Sequence, residues 1–334
     1  MKSNRRTVTG VLFGVIVSAI ALFVVFRWSG WQALKSSFGR VDWGLFTCSI
    51  ILYLCSMSAR ALSWRAIMRD RFSYLQVMAA LNEGYLLNNL LPWRLGEFGR
   101  AILLGHKPGM SVLGVLSSIV VERTYDILLV VVLLMAMLPV AAGIPGIEQQ
   151  AVFGAVAAAV MMMSLLVAVY RQTWITKLLA WIPGDSARWI DFWTKIAEGL
   201  RVLRQGRTLA ASFGWMVVSW VLAGIEYWVI LRAVIPEAEL SWALLMLTMT
   251  MLGVAIPSSP GYIGVFEAAG VLALSVYSVP QSDALAATLL LHGMVLVIAS
   301  SLGAIALALE GETLHGLYNQ VRAWIAAGRK PVAG

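Results

Sequence analysis

Long apolar runs separated by short polar links make up most of this chain. About 20 apolar residues are needed to cross the hydrocarbon core of a bilayer, and a helix satisfies all the backbone groups of one span within itself. The pattern therefore predicts an all-α polytopic membrane protein. The predicted spans lie at about 8–26, 44–62, 111–138, 151–170, 209–235 and 285–309.

Two further apolar segments, Leu75–Leu104 and Trp242–Tyr277, are interrupted by polar residues, proline and glycine. The first contains the stretch Asn88–Arg100, and the second contains Pro257–Glu267. A charged side chain at the bilayer centre costs about 2.5–3.5 kcal/mol on insertion scales, and a broken backbone leaves groups that lipid does not satisfy. Each segment is therefore predicted to be a re-entrant hairpin that lines a hydrated, protein-enclosed site.

The order of span, broken hairpin and span occurs twice, which predicts an inverted repeat within a single transmembrane domain, 1–334. In transporters built this way, the matched Gly/Pro-interrupted segments of the two halves point to the binding site. The predicted parts are repeat one at about 44–138, a linker span and basic amphipathic section at 151–207, repeat two at about 209–309, and an interfacial tail at 312–334.

Composition and charge support this class. The chain is 60% hydrophobic and 13% charged, whereas a soluble domain carries about 25% charged residues. Its net charge of +8 is interpreted as basic loops beside anionic lipid, not as a nucleic-acid surface. Placing the basic links, such as Trp64–Arg71 and Arg171–Arg207, in the cytoplasm puts both termini there too. This topology of a cytoplasmic (inner) membrane protein holds only if both hairpins return to the side from which they entered.

The polar residues of the breaks form a candidate site for a lipid headgroup. Helices that begin inside the bilayer at Pro92 and Pro260, the latter with Ser259 as N-cap, would direct N–H groups at an anion. Arginines would add bidentate phosphate contacts, and the acidic residues would pair with them or bind a proton or a cationic headgroup. The candidate substrate-binding residues are Asn88, Arg94, Glu97, Arg100, Glu122, Arg123, Asp126, Ser259 and Glu267.

Simpler interpretations of the same residues stay open. Arg94 and Arg100 could lie in a cytoplasmic loop. Glu122, Arg123 and Asp126 could be a structural cluster in which the two acids share a helix face and need a cation between them. His292 is predicted to be a packed polar residue rather than a proton relay. Glu226 and Arg232 could belong to an interfacial helix end, and Cys48 and Cys55 are predicted to be small buried hydrophobes.

Three motifs resemble those of the transmembrane region of lysylphosphatidylglycerol synthases, a flippase-like membrane family. They are Asn-x-Leu-Leu-Pro-x-Arg-x-Gly-Glu-x-x-Arg at 88–100, Glu-Arg-x-x-Asp at 122–126 and Pro-x-x-Pro-Gly-x-x-Gly-x-x-Glu at 257–267. The resemblance covers nearly the whole chain. Tyr262 departs from the glycine expected at its position, which puts a close backbone approach there in doubt.

The resemblance implies movement of phospholipids or polyprenyl-linked lipids between leaflets. The full synthases also carry a soluble aminoacyl-transferase domain. Only 25 residues follow Leu309 here, so the synthase activity is not expected of this chain.

The leading hypothesis is a lipid translocase or scramblase-like protein. Its arginines Arg94, Arg100 and Arg123 would hold the lipid phosphate. Glu97 and Glu267 would gate the site or pair with the arginines. No catalytic residue, metal or cofactor is expected. The absence of a P-loop leaves a gradient, a partner or no driving force at all. Two alternatives stay open: a lipid-modifying transferase that uses the acids as metal ligands or bases, and a non-catalytic partner of a lipid-synthesis enzyme. The sequence leaves the oligomeric state open.

Overall fold

The computed structural model describes residues 31–91, 95–141, 144, 146–181, 186–255, 259–311 and 316. The predicted first span and nearly all of the predicted tail lie outside these residues. Helix is the only regular structure in the described part of the chain. The α-helices are α1 (Trp31–Gly39), α2 (Trp43–Ile67), α3 (Tyr74–Leu90), α4 (Gly96–Gly105), α5 (Val112–Ala141), α6 (Ile147–Tyr170), α7 (Gln172–Ala180), α8 (Ser186–Gly199), α9 (Gly206–Val234), α10 (Leu240–Ala255), α11 (Val265–Ser275) and α12 (Gln281–Leu309).

Five of the described helices, α2, α5, α6, α9 and α12, are apolar and 24–30 residues long. With a rise of about 1.5 Å per residue, each is long enough to cross a bilayer. The prediction of an all-α polytopic membrane protein is thereby confirmed.

The second helix, α2, continues past its predicted end at Leu62 to Ile67. Trp64 and Arg65, which were predicted to flank the span, therefore lie within the helix. No glycine or proline follows Gly44 in α2. The chain turns only at Arg69 and Asp70, whose φ angles of 59° and 54° lie in the left-handed region.

The chain divides into two compact units, of which the second consists of residues 61–123, 162–213 and 298–334. In this unit α3 and α4 pack on each other. Ser73 begins α3 with a capping box, because its hydroxyl and the Gln76 side chain accept hydrogen bonds from each other's backbone N–H. A Cβ atom on Gly96 would lie 1.9 Å from the carbonyl oxygen of Gly84. The two helices therefore approach as closely as they do only because position 96 has no side chain.

The first unit consists of residues 1–60, 124–161 and 214–297, and in it α10 and α11 pack on each other. A short 3-10 turn, Pro260–Tyr262, precedes α11. Gly261, Tyr262 and Gly264 have φ angles of 68°, 58° and 91°. A left-handed conformation costs an L side chain about 1–2 kcal/mol. Tyr262, where glycine was expected, therefore occupies a conformation that favours glycine.

The basic section 171–207 contains two helices, α7 and α8, and a 3-10 turn at Arg201–Arg204. The prediction that Cys48 and Cys55 are buried is wrong, because both are exposed on α2. In a membrane-spanning helix the outer face meets lipid, so a small, weakly polar thiol is tolerated there.

Substitution of Gly96 by alanine is expected to destabilise the α3–α4 pair. The new methyl group would meet the Gly84 backbone, which has no flexible end to move aside, and overpacking of this kind costs about 1–3 kcal/mol. Thermal unfolding of the purified protein in detergent measures the loss. Gly214→Ala is the control, because nothing lies within 4 Å of a Cβ atom at that position. Equal unfolding temperatures for the two variants would contradict the close packing at Gly96.

Candidate functional site

Three charged side chains of α4 and α5 form a buried network in the second unit. Arg100, which is 2% exposed, donates from Nη2 to Oε2 of Glu97 at 2.7 Å. Its Nη1 lies 2.9 Å from Oε2 of Glu122, a residue with no exposed surface. An isolated charge in such surroundings costs several kcal/mol. Arg100 and Glu122 are therefore stable there because each has an opposite charge beside it.

Arg123 is the fourth member of this network and its most exposed one. Its Nε lies 3.3 Å from Oε1 of Glu97, and its Nη2 lies 3.6 Å from Oε1 of Glu122. The side chains of Arg123 and Glu97 are 30% and 20% exposed. Charge-assisted hydrogen bonds between nitrogen and oxygen are normally about 2.7–2.9 Å long, so both carboxylates hold Arg123 less closely than they hold Arg100.

Local helix geometry explains these positions. Glu97 and Arg100 are three residues apart on α4 and therefore lie on the same side of that helix. Glu122 and Arg123 are adjacent on α5, and adjacent helical residues point about 100° apart. Glu122 therefore faces the interior, while Arg123 reaches the edge of the network.

Trp64, on α2, supports Arg100 from another direction. The guanidinium carbon of Arg100 lies 4.4 Å from the centre of the Trp64 ring, a cation–π contact. The indole is fully buried and donates from Nε1 to the hydroxyl of Ser118 at 3.0 Å. Sequence reasoning missed this role, because Trp64 was assigned to the flank of the preceding span. The sequence has no glycine or proline between Gly44 and Arg69, and this was the available sign that the helix continues past Trp64.

The predicted residues of the first break have different roles. Asn88, at the end of α3, accepts a hydrogen bond at Oδ1 from the backbone N–H of Gly96 at 2.8 Å. It therefore occupies one of the N–H groups that were expected to point at an anion. Arg94 and Pro92 lie outside the described residues.

Asp126 has a partner of its own in the first unit. Arg60 donates to both its carboxylate oxygens, at 2.8 and 3.1 Å, and Trp220 donates from Nε1 at 3.1 Å. The structure thus pairs Glu122 with Arg100 and Asp126 with Arg60. Arg60 was missed, although a charged residue inside an apolar span is itself a signal of function.

Glu267 lies in the first turn of α11 in the same unit. Its Oε2 accepts a hydrogen bond from the backbone N–H of Gly264 at 2.5 Å, and its Oε1 lies 2.6 Å from Nδ1 of His292. The His292 ring stacks on Phe266 with ring centres 4.3 Å apart. His292 is thus packed, as predicted, and it is also the direct partner of the acid. Ser259 donates its hydroxyl to the carbonyl oxygen of Ile263 at 3.2 Å and does not cap a helix with its side chain.

A family model described as the lysylphosphatidylglycerol synthase TM region matches residues 11–303. The resemblance read from the three motifs is thereby confirmed over most of the chain. Neither the comparison with curated proteins nor that with solved structures gives a match.

Removing one partner of the Arg100–Glu122 pair is expected to be strongly destabilising. Arg100→Leu leaves a buried carboxylate beside the more distant Arg123, and loss of one partner from a buried pair costs about 3–5 kcal/mol. The double variant Arg100→Leu/Glu122→Leu is expected to recover part of this loss, because it leaves no unpaired charge. Chemical denaturation of the purified protein measures both effects.

The matched control for this test is Lys195→Ala, which breaks an exposed pair with Asp191. Exposed helix pairs of this spacing contribute only about 0.3–0.5 kcal/mol. If Arg100→Leu were no more destabilising than the control, the buried network would have no structural role.

Proposed function

The chain belongs to the lysylphosphatidylglycerol synthase transmembrane-region family, and on that premise we propose that it moves a phosphate-bearing lipid between the two leaflets of its membrane. The observation that carries the proposal is the network of Glu97, Arg100, Glu122 and Arg123. A charged network between a short helix, α4, and a long apolar helix, α5, is costly in a membrane protein and marks a site for a polar substrate. The family supports a lipid as that substrate.

Arg123 is the proposed ligand of the lipid phosphate. Its contacts to Glu97 and Glu122 are longer than those of Arg100, and its side chain is ten times more exposed (30% against 3%). A guanidinium presents its donors as a planar fork that matches two phosphate oxygens. Arg100 is then the fixed charge that holds the two carboxylates in place. Arg94 is retained as a further phosphate ligand on its position in the first motif.

Glu97 is the proposed gate. It contacts both Arg100 and Arg123, so an arriving phosphate competes with its carboxylate for Arg123. The competition keeps the phosphate from binding too tightly, and a translocated headgroup must be released as well as bound. Asn88 has the supporting role of holding the start of α4 beside α3.

Two of the remaining predicted residues, Glu267 and Ser259, are proposed to hold the second hairpin in shape. Glu267 joins the first turn of α11 to His292, and Ser259 closes the loop before it through Ile263. Asp126 is proposed to hold α5 beside Arg60 and Trp220.

The α3–α4 and α10–α11 pairs are proposed to be re-entrant hairpins of an inverted repeat, 44–138 and 209–309. Two features support this. Each pair consists of helices of 10–17 residues, which are shorter than an ordinary span of about 20. Each pair also lies in the sequence between two long apolar helices. The basic sections are proposed to face the cytoplasm and the chain to reside in the cytoplasmic membrane.

Single cysteines in a protein without Cys48 and Cys55 test the proposed topology. In sealed vesicles with the outer face exposed, an impermeant thiol reagent is expected to label Glu237→Cys but not Lys195→Cys. Lys107→Cys is the informative site, because a re-entrant α3–α4 pair returns it to the protected side. Labelling of Lys107→Cys as fast as that of Glu237→Cys would show that the pair crosses the bilayer.

Glu97→Gln and Arg123→Gln are expected to impair translocation in opposite ways. Arg123→Gln removes a charge-assisted hydrogen bond worth about 1.5–3 kcal/mol, so transport should need about ten- to a hundredfold more lipid. Glu97→Gln removes the competitor, so the lipid should bind more tightly while its exchange becomes slower. Exchange of fluorescent lipids in proteoliposomes, read with an impermeant quencher over a series of headgroups, measures both.

Lys195→Gln is the control for this experiment and is expected to match wild type, because its charge is exposed and remote in sequence from both motifs. Failure of wild type to exceed empty liposomes with any phosphate headgroup, with or without a pH gradient, would overturn unaided translocation. A donor-dependent lipid product would then favour the transferase alternative.

A further inference from the structure

A row of three serines runs along α2, and it faces a row of two serines and one glutamate on α9. Successive members of each row are seven residues apart and buried, so each row occupies one face of its helix. The members on α2 are Ser49, Ser56 and Ser63, and those on α9 are Ser212, Ser219 and Glu226.

Contacts in the first unit show that the two helices run antiparallel in a regular register. The hydroxyl of Ser56 donates to the carbonyl oxygen of Ser219 at 2.9 Å, and their hydroxyl oxygens are 3.2 Å apart. At the start of α2, the N–H of Asp42 donates to the carbonyl oxygen of Ala233 at 2.8 Å. From Asp42 to Ser56 the residue number increases by fourteen, and on α9 it decreases by fourteen, from Ala233 to Ser219.

The midpoint of this interval places Ser49 opposite Glu226. Each is seven residues from both neighbouring contacts. The same step of seven continues in the second unit, where the hydroxyl of Ser63 donates to the carbonyl oxygen of Ser212 at 2.8 Å. The contact between these two rows is called the α2–α9 seam below. Glu226 is its single carboxyl group, and its other members are serines.

Glu226 differs from the other buried acids described above. It is 2% exposed, and its Oε1 has no hydrogen-bond partner among the described residues. Glu122 is paired with Arg100, Asp126 with Arg60, and Glu267 with His292. No such cation accompanies Glu226 in the part of the chain that the structure describes.

The titratable groups on the surrounding helices do not supply a cation either. Tyr227 adjoins Glu226, and its hydroxyl lies 3.1 Å from that of Thr250 on α10, a helix with no titratable residue. On α9, Arg232 is exposed and lies over Trp228 at 5.8 Å. Asp126 on α5 accepts a hydrogen bond from Trp220 on α9, and this acid is already paired with Arg60.

Helices α2 and α12 likewise place no unpaired positive charge beside Glu226 in the described part of the chain. The titratable residues of α2 before Arg60 are Cys48, Tyr53 and Cys55. α12 touches α2 where the hydroxyl of Ser49 lies 3.5 Å from the sulfur of Met294. The ionisable residues of α12, Asp283 and His292, are paired with Arg40 and Glu267.

We propose that Glu226 is a proton-binding site in the α2–α9 seam, loaded and unloaded during lipid translocation. A buried carboxylate without a cation costs many kcal/mol and takes up a proton instead. The coupling to lipid rests on the function proposed above.

The exchange is a simple proton transfer. With the seam closed, Glu226 is a neutral carboxylic acid. When α2 and α9 separate and water enters, the acid gives its proton to water and leaves a hydrated carboxylate; reclosure takes one proton back from water. The proton is thus the ligand through which a pH gradient would drive or bias translocation.

Infrared spectroscopy of the purified protein tests the binding site without any transport. Wild type at neutral pH is expected to show the carbonyl band of buried carboxylic acid, and Glu226→Gln is expected to lose the part of its intensity that Glu226 contributes. Glu237→Gln, a control at an exposed acid, is expected to keep the wild-type band. Glutamine has the shape of the neutral acid, so the seam should stay closed. Absence of the band from wild type, or unchanged intensity in Glu226→Gln, would overturn the proposal.

Proteoliposomes with an imposed pH gradient test the coupling. One pH unit is a tenfold ratio of proton activity, so wild-type exchange is expected to change by up to about tenfold. Glu226→Gln is expected to exchange lipid at one rate with and without the gradient. An unchanged gradient response in Glu226→Gln would refute the coupling. Failure of wild type to move lipid at all would instead refute the proposed function, and the infrared result would still decide proton binding.

Disulfide cross-linking checks the register on which the placement depends. In a background without Cys48 and Cys55, the pair Ser49→Cys and Glu226→Cys is expected to cross-link as readily as the contacting pair Ser56→Cys and Ser219→Cys. Cross-linking of the second pair alone would place Glu226 outside the seam and remove the basis of the proposal.

Discussion

The pairing of Arg100 with Glu97 and Glu122 is the interaction on which the second unit depends. A guanidinium that is almost fully buried is stable only when opposite charges and a polarisable surface replace water, and two carboxylates and the Trp64 ring do so here. The pairing joins α2, α4 and α5. It also leaves Arg123 as the most exposed charge of the network, and we propose that the lipid phosphate binds there.

Glycines set the distances that make this network compact. Gly84 lets α3 pass beside the stem of Arg100, since a Cβ there would lie 3.2 Å from Arg100 Cδ. Gly96 brings the start of α4 against α3, where Asn88 reaches its N–H. Gly96 of the first motif is thus explained by backbone approach, and Asn88 by the need to satisfy a donor at a helix start.

Sequence reasoning identified most of the candidate site but not its internal pairing. Glu97, Arg100, Glu122 and Arg123 were selected because charge in an apolar context is costly, and the structure brings these four together. The sequence did not show that Glu122 pairs with Arg100 and Asp126 with Arg60, because these contacts depend on how the helices pack. Arg60 was missed although it lies inside a predicted apolar span.

The sequence by itself determined the helical class, the position of the breaks and the family, because in lipid the length and polarity of each segment decide whether it spans. Only the tertiary structure decided which partner each charge has. Arg60 and Asp126, or Glu267 and His292, are separated by 66 and 25 residues. Their contact depends on how helices pack, and no local pattern carries that information. The same holds for Glu226, for which the sequence left an interfacial helix end open and which the structure buries within α9.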